Sequence, residues 1–202
     1  MLLFLYFSKM IPVKKFLWLL PLSFFLTACP FESPVPLDEN PLQPADTTLL
    51  GYWYGIVKDG SDYFGIEALD ISKQSDSVYK IIRYGKSIKG NMIMPDTAHF
   101  TGYISRIGDQ TYMNVESAIV EVIPRKRKPP EIKTTKIYYI ASIELSNDTL
   151  TVKTVTDNFY GLNPRFGKPE DLRNVISTLT GKNKNIFDDQ YKLSYRKMEK
   201  PF

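Results

Sequence analysis

From Leu49 onward the chain is cut into short aromatic and β-branched runs by clusters of turn residues, and this punctuation constrains the fold more than any other feature. Runs of this length and spacing fit all-β sandwiches and barrels. The first is Gly51-Tyr52-Trp53-Tyr54-Gly55-Ile56-Val57, stopped by Asp59-Gly60-Ser61. Tyr63 to Ile71 follows, stopped by Lys73 to Ser77; Val78 to Tyr84 is closed by the segment from Gly85 to Gly90. Asn91 to Met94 reads as a short strand ended by Pro95-Asp96. His99 to Ile107 and Thr111 to Ile123 flank the tight turn Gly108-Asp109-Gln110. After the loop from Pro124 to Lys133, Lys136 to Leu145 and Leu150 to Thr156 form a hairpin around Ser146-Asn147-Asp148-Thr149. The 13 tyrosines and 12 phenylalanines, with many Thr, Val and Ile residues, favour sheet.

The pattern breaks once. Lys168-Pro169-Glu170-Asp171 opens a helix, because proline suits the first helical position and acids complement the N-terminal dipole. Leu172, Val175, Ile176 and Leu179 fall at i, i+3, i+4 and i+7, one apolar stripe facing a core. The helix is expected near 169–180, ended by Gly181, with Tyr191 to Met198 as a returning strand. No internal repeat divides the region, so 49–202 is expected to be one domain.

The N-terminal part follows different rules. Lys14 and Lys15 precede the apolar run from Phe16 to Leu26, which ends in Leu26-Thr27-Ala28-Cys29. A basic stretch, an apolar stretch and a small-residue cleavage site make a secretory signal. The run is shorter than the roughly 20 residues a spanning helix needs, and Met10 to Ala28 alone is a complete signal. Leu26-Thr27-Ala28-Cys29 resembles the lipobox of bacterial lipoproteins. The resemblance implies cleavage after residue 28, a diacylglycerol on the Cys29 sulfur and an acyl chain on its amine. Several chains at one residue meet the two-signal requirement of stable anchoring. The other readings are a cleaved signal with an incidental cysteine and an uncleaved helix. Under the lipoprotein reading the chain faces away from the cytoplasm. Pro30 and Phe31 after the cysteine give the outer membrane a slight preference. Residues 29–48, with Pro30, Pro34, Pro36, Pro41 and Pro44, read as a semi-rigid, extended tether holding the domain off the bilayer.

Charge excludes one class of partner. Three of the 26 basic residues, Lys9, Lys14 and Lys15, lie in the signal, which leaves 23 basic against 22 acidic residues. That balance gives no whole-molecule case for nucleic acid. Cys29 is the only cysteine, so a disulfide or a cysteine zinc site is excluded.

Catalytic constellations are sparse. His99 is the only histidine, with Asp96, Thr101 and Ser105 nearby, but G-x-S-x-G is absent. Gly85-Lys86-Ser87 resembles the end of a phosphate loop, yet Lys80 stands where that loop needs glycine, so the segment reads as a solvated turn. Glu67, Asp70, Glu116, Glu121 and Glu144 lie in or beside strands and are the available acid–base material. Glu116 alternates with Tyr112 and Asn114, putting all three on one face, either a polar lumen or, preferably, a solvent-facing row. Arg125, Lys126, Arg127 and Lys128 sit between prolines and must project, as a solvated hairpin tip or as a contact for an anionic surface.

About eight strands, then one helix, then a returning strand is similar to the element order of lipocalins. Gly51-Tyr52-Trp53 is similar to the G-x-W that opens a lipocalin's first strand, and Thr156-Asp157-Asn158-Phe159-Tyr160 loosely resembles that family's Thr-Asp-Tyr motif. The resemblance implies an antiparallel up-and-down barrel or curved meander in which Gly51 and Trp53 form the barrel-closing motif. It also implies an arginine over the tryptophan, with Arg165, Arg173 and Arg196 as candidates. The expected role is a non-catalytic binding module, without cofactor or metal, for a small apolar ligand or an envelope partner. A carboxylate hydrolase acting on envelope glycan or lipid and a purely structural protein are the alternatives.

Overall fold

The computed structural model describes residues 30–59, 63–89, 92–157 and 166–199; residues 1–28, where the signal is expected, Cys29, Arg165 and, of the Thr-Asp-Tyr-like motif, Asn158, Phe159 and Tyr160 lie outside the described residues. Its strands are β1 (Glu32–Ser33), β2 (Gly51–Asp59), β3 (Tyr63–Lys73), β4 (Tyr79–Lys89), β5 (Met92–Ile107), β6 (Gln110–Ile123), β7 (Glu131–Ser146), β8 (Thr149–Val155) and β9 (Phe187–Met198). One helix, α1 (Pro169–Gly181), separates β8 from β9. Strands β2 to β9 form a closed antiparallel eight-stranded barrel, and β1 adds to β7. The returning strand is itself a stave, lying between β8 and β2.

The barrel is closed over only part of its height. Between hairpins the ladders are short: Ala68 to Lys73 of β3 on β4, Thr101 to Ile107 of β5 on β6, and Tyr52 to Tyr54 of β2 on β9. Within hairpins they run on, to Asp59–Tyr63, Lys89–Met92 and Ile123–Glu131. Three two-stranded ribbons therefore extend past the closed part at the end opposite Gly51.

Two expected breaks are absent. β5 runs through Pro95, and β4 continues through Gly85-Lys86-Ser87, which is strand and not a turn. Both segments lie on the β4–β5 ribbon, where β5 has one ladder partner. A missing N–H is tolerated on such an edge.

Strand alternation sorts two apolar clusters. The interior one is built on Leu49, Trp53, Tyr79, Met113, Leu150 and Tyr195. The other joins Tyr112 and Ile140, on the outer face of β6 and β7, to Leu172 and Ile176 of α1. The helix thus packs against the outside of the barrel. Burying Leu172 and Ile176 supplies about 1.5–3 kcal/mol each. Pro169 opens the helix and Glu170 and Asp171 occupy its first turn, as the sequence requires.

The proline-rich segment is not a free tether. It contributes β1 to the edge of β7, its Phe31 and Leu37 are buried in the outer cluster, and Phe31 meets Phe166 edge-on at 5.9 Å. Phe31 N–H donates to the Val155 carbonyl at 2.8 Å, and Leu37 N–H to Asn114 Oδ1 at 2.7 Å. Apolar side chains spaced among the prolines give the segment a surface to bury. The row Tyr112, Asn114 and Glu116 is accordingly neither lumen nor open surface. Tyr112 and Asn114 are buried beneath α1 and residues 31–37, and only Glu116 reaches the edge, 2.8 Å from Lys136.

Candidate functional site

The interior encloses a cavity of about 480 Å³. Its walls are aliphatic, with Leu69, Ile81, Val115, Ile143, Val152 and Leu193 among them. The closed end is sealed by the segment before β2. Asp46 caps a single 3-10 turn, Thr47–Leu49, and its carboxylate accepts from the Thr48 hydroxyl at 2.6 Å and from Thr48 N–H at 2.9 Å, which together lower its pKa. Leu49 at the end of that turn lies on the cavity floor. Trp53 is fully buried, and its Nε1–H donates to the Leu49 carbonyl at 2.9 Å. Gly51 enters the strand at φ +119, a conformation open to glycine.

The cation over Trp53 is Lys197, with Nζ 5.2 Å from the ring centroid and 2.9 Å from the Thr48 carbonyl. Neither described arginine candidate takes that place. Arg173 lies on α1 and donates to the Arg106 carbonyl at 2.8 Å and to Asp38. Arg196 pairs with Tyr54, and alternation puts it on the face opposite Lys197.

At the level where β3 and β4 part, the cavity acquires its polar groups. Glu67 is buried, and its Oε1 accepts from the Tyr195 hydroxyl at 2.5 Å. Arg83 Nη1 stands 3.9 Å from Glu67 Oε2, and Nη2 donates to Asp96 Oδ2 at 2.8 Å. The guanidinium thereby ties the paired strands β4 and β5 to β3 near the point where the β3–β4 ladder ends. Its Nε is buried and has no hydrogen-bond partner among the described residues. Burial pushes the Tyr195 phenol far above its ordinary range, reinforced by the Glu67 charge and hydrogen bond. Tyr195 fits because its neighbour on β2 is Gly55. A Cβ there would lie 2.7 Å from the Ser194 carbonyl oxygen and 3.0 Å from Tyr195 Cδ1.

Sequence reasoning named Glu67 among five strand acids without distinguishing it. Glu116, Glu121 and Glu144 face lysines 136, 133 and 153 in ion pairs. Of the five, Glu67 alone lines the cavity. Arg83 and Tyr195 were missed. The available signal was parity: Glu67, Leu69 and Ile71 share a face, as do Ile81 and Arg83, and Leu193 and Tyr195.

The residues around the histidine do not assemble. His99 is exposed, Asp96 is held by Arg83, and the buried Ser105 hydroxyl accepts from Asn114 Nδ2 at 2.7 Å. Arg125, Lys126, Arg127 and Lys128 lie exposed at the tip between β6 and β7. Among the described residues no three His, Cys, Asp or Glu side chains group as metal ligands, and no helix is long and apolar enough to cross a membrane. No protein-family model, no curated protein and no solved structure matches this chain.

Proposed function

We propose that this chain is a lipid-anchored envelope lipoprotein whose barrel binds, without catalysis, a small and mainly apolar ligand carrying one polar head. The observation that carries this reading is the aliphatic cavity of about 480 Å³ with the Glu67–Arg83–Tyr195 set at its polar level. Cavities of this size with few convergent polar groups suit small ligands. The unmatched Arg83 Nε–H calls for an acceptor on the ligand, since a buried donor left unpaired costs about 1–3 kcal/mol. Arg83 already faces two carboxylates, Glu67 and Asp96. A ligand carboxylate would be repelled by both, so an uncharged head such as a hydroxyl, ester or amide fits best.

Titration with a solvatochromic apolar fluorophore tests the cavity. The unmodified protein should bind it and shift its emission to the blue, and Val152→Trp, which fills the cavity from β8, should abolish the shift. Equal signals from both proteins would overturn the reading. The anchor has its own test. Cys29→Ser should abolish incorporation of labelled palmitate and release the protein from a bacterial membrane, with the outer membrane the preferred address; unchanged labelling would refute it.

A further inference from the structure

The β6–β7 ribbon differs from the rest of the surface in both charge and shape. From Ala118 to Lys136 all residues are exposed, and the two strands pair only with each other. Between these positions stand six basic and two acidic residues. The chain after the signal has an excess of only one positive charge, so the remainder is net negative and the positive charge is concentrated on this arm.

Its two faces are unlike. One carries Glu121 and Lys133 4.0 Å apart, and Glu131 paired with Arg125. The other carries Val120, Val122, Ile132 and Thr134, with Val122 directly opposite Ile132 and no charge short of Lys136. Val120, Val122 and Ile132 are 59%, 61% and 67% exposed. At the tip, Lys126, Arg127 and Lys128 have no ion-pair partner among the described residues. An apolar face beside unpaired cations is the pattern of an element that lies in a bilayer interface, apolar side chains toward acyl chains and cations on phosphates. A second ribbon at the same end also exposes a cross-strand aliphatic pair, Ile56 and Ile66.

We infer that this arm docks on the surface of an anionic phospholipid bilayer. Charge complementarity favours lipid over a second copy, since tip-to-tip pairing of two arms would oppose four cations with four. Position favours it too. Pro30, next to Cys29, is bridged to Thr156, and Glu32 pairs with Tyr139, three positions from Lys136. At about 3.4 Å per residue, the arm base lies within about 25 Å of Pro30. A chain held at Cys29 keeps the arm within reach of the same membrane.

The test uses residues 30–202 without acylation, so it does not depend on the lipoprotein reading; all strands of the barrel and both apolar clusters lie within this span. Flotation with vesicles of phosphatidylcholine containing phosphatidylglycerol should show binding that weakens as salt rises, and pure phosphatidylcholine should show little. Replacing Lys126, Arg127 and Lys128 with Gln should weaken binding about a hundredfold, at roughly 1 kcal/mol per cation. Val122→Ser with Ile132→Ser should weaken it independently, with the melting temperature unchanged in both variants. Equal binding by the parent and the Gln variant, absence of binding to anionic vesicles, or arm-dependent dimers with no lipid affinity would each overturn the inference.

Discussion

The two ends of the barrel are made from the same strands but obey different constraints. At the Gly51 end every stave is bonded on both sides, and Leu49, Trp53 and Tyr79 fill the interior. At the other end the ladders part, and Ile56, Ile66, Val120, Val122 and Ile132, each more than half exposed, lie on the ribbons. The difference teaches that closure and packing go together. Where neighbouring staves bond, side chains of one parity are forced inward and buried. Where they separate, the same alternation leaves both faces in contact with the surroundings. The Glu67–Arg83–Asp96 cluster lies at the transition, where charge substitutes for the ladder that ends at Ala68 and Tyr84.

The largest effect should come from breaking the closed end. Trp53→Ala removes a fully buried indole and its hydrogen bond to Leu49, so the cost should be about 3–5 kcal/mol, read by denaturant unfolding. Gly55→Ala should follow. Its methyl would meet the Ser194 carbonyl and the Tyr195 ring, and overpacking of this kind costs about 1–3 kcal/mol. It should also displace Tyr195 and weaken binding of the apolar fluorophore. Tyr195→Phe strips the buried Glu67 carboxylate of its closest donor and should cost about 1–3 kcal/mol.

A pH experiment sharpens the same contrast. Burial raises the phenol pKa of Tyr112 and Tyr139 to about 12 and those of Tyr103 and Tyr195 further. A raised native pKa means the native state holds its protons longer than the unfolded chain. Stability is then fully present below about pH 10, the unfolded phenol value, and falls from there through pH 12. Absorbance titration should find these four phenols ionising later in the native protein than in the chain unfolded by denaturant. The smallest effect belongs to the ribbons. Val122→Ser should change unfolding stability by less than about 0.5 kcal/mol, since the residue is exposed.

Much of this was legible in the sequence, and the exceptions share a cause. Run length and alternation placed the strands, and the stripe Leu172, Val175, Ile176, Leu179 placed the helix. What could not be read was which partner each segment meets. The helix stripe required an apolar surface but did not say that Tyr112 and Ile140 provide it from outside the barrel. The prolines from Pro30 to Pro44 pointed to an extended tether without a ladder; that β1 pairs with Tyr138 and Tyr139, and that Phe31 and Leu37 dock, depends on partners far away in sequence. Pro95 read as a strand end because the edge that tolerates it arises only when β5 leaves β6. The polar cluster was hidden for the same reason. Glu67, Arg83 and Tyr195 become neighbours only after β9 closes the barrel against β2.

The most direct test of the central claim is native mass spectrometry of residues 30–202 purified gently from the host. A hollow, ligand-binding barrel predicts a reproducible added mass of a few hundred daltons, lost on denaturation and absent from the cavity-filled Val152→Trp variant. A bare polypeptide mass from the unmodified protein, or an adduct retained equally by Val152→Trp, would contradict it.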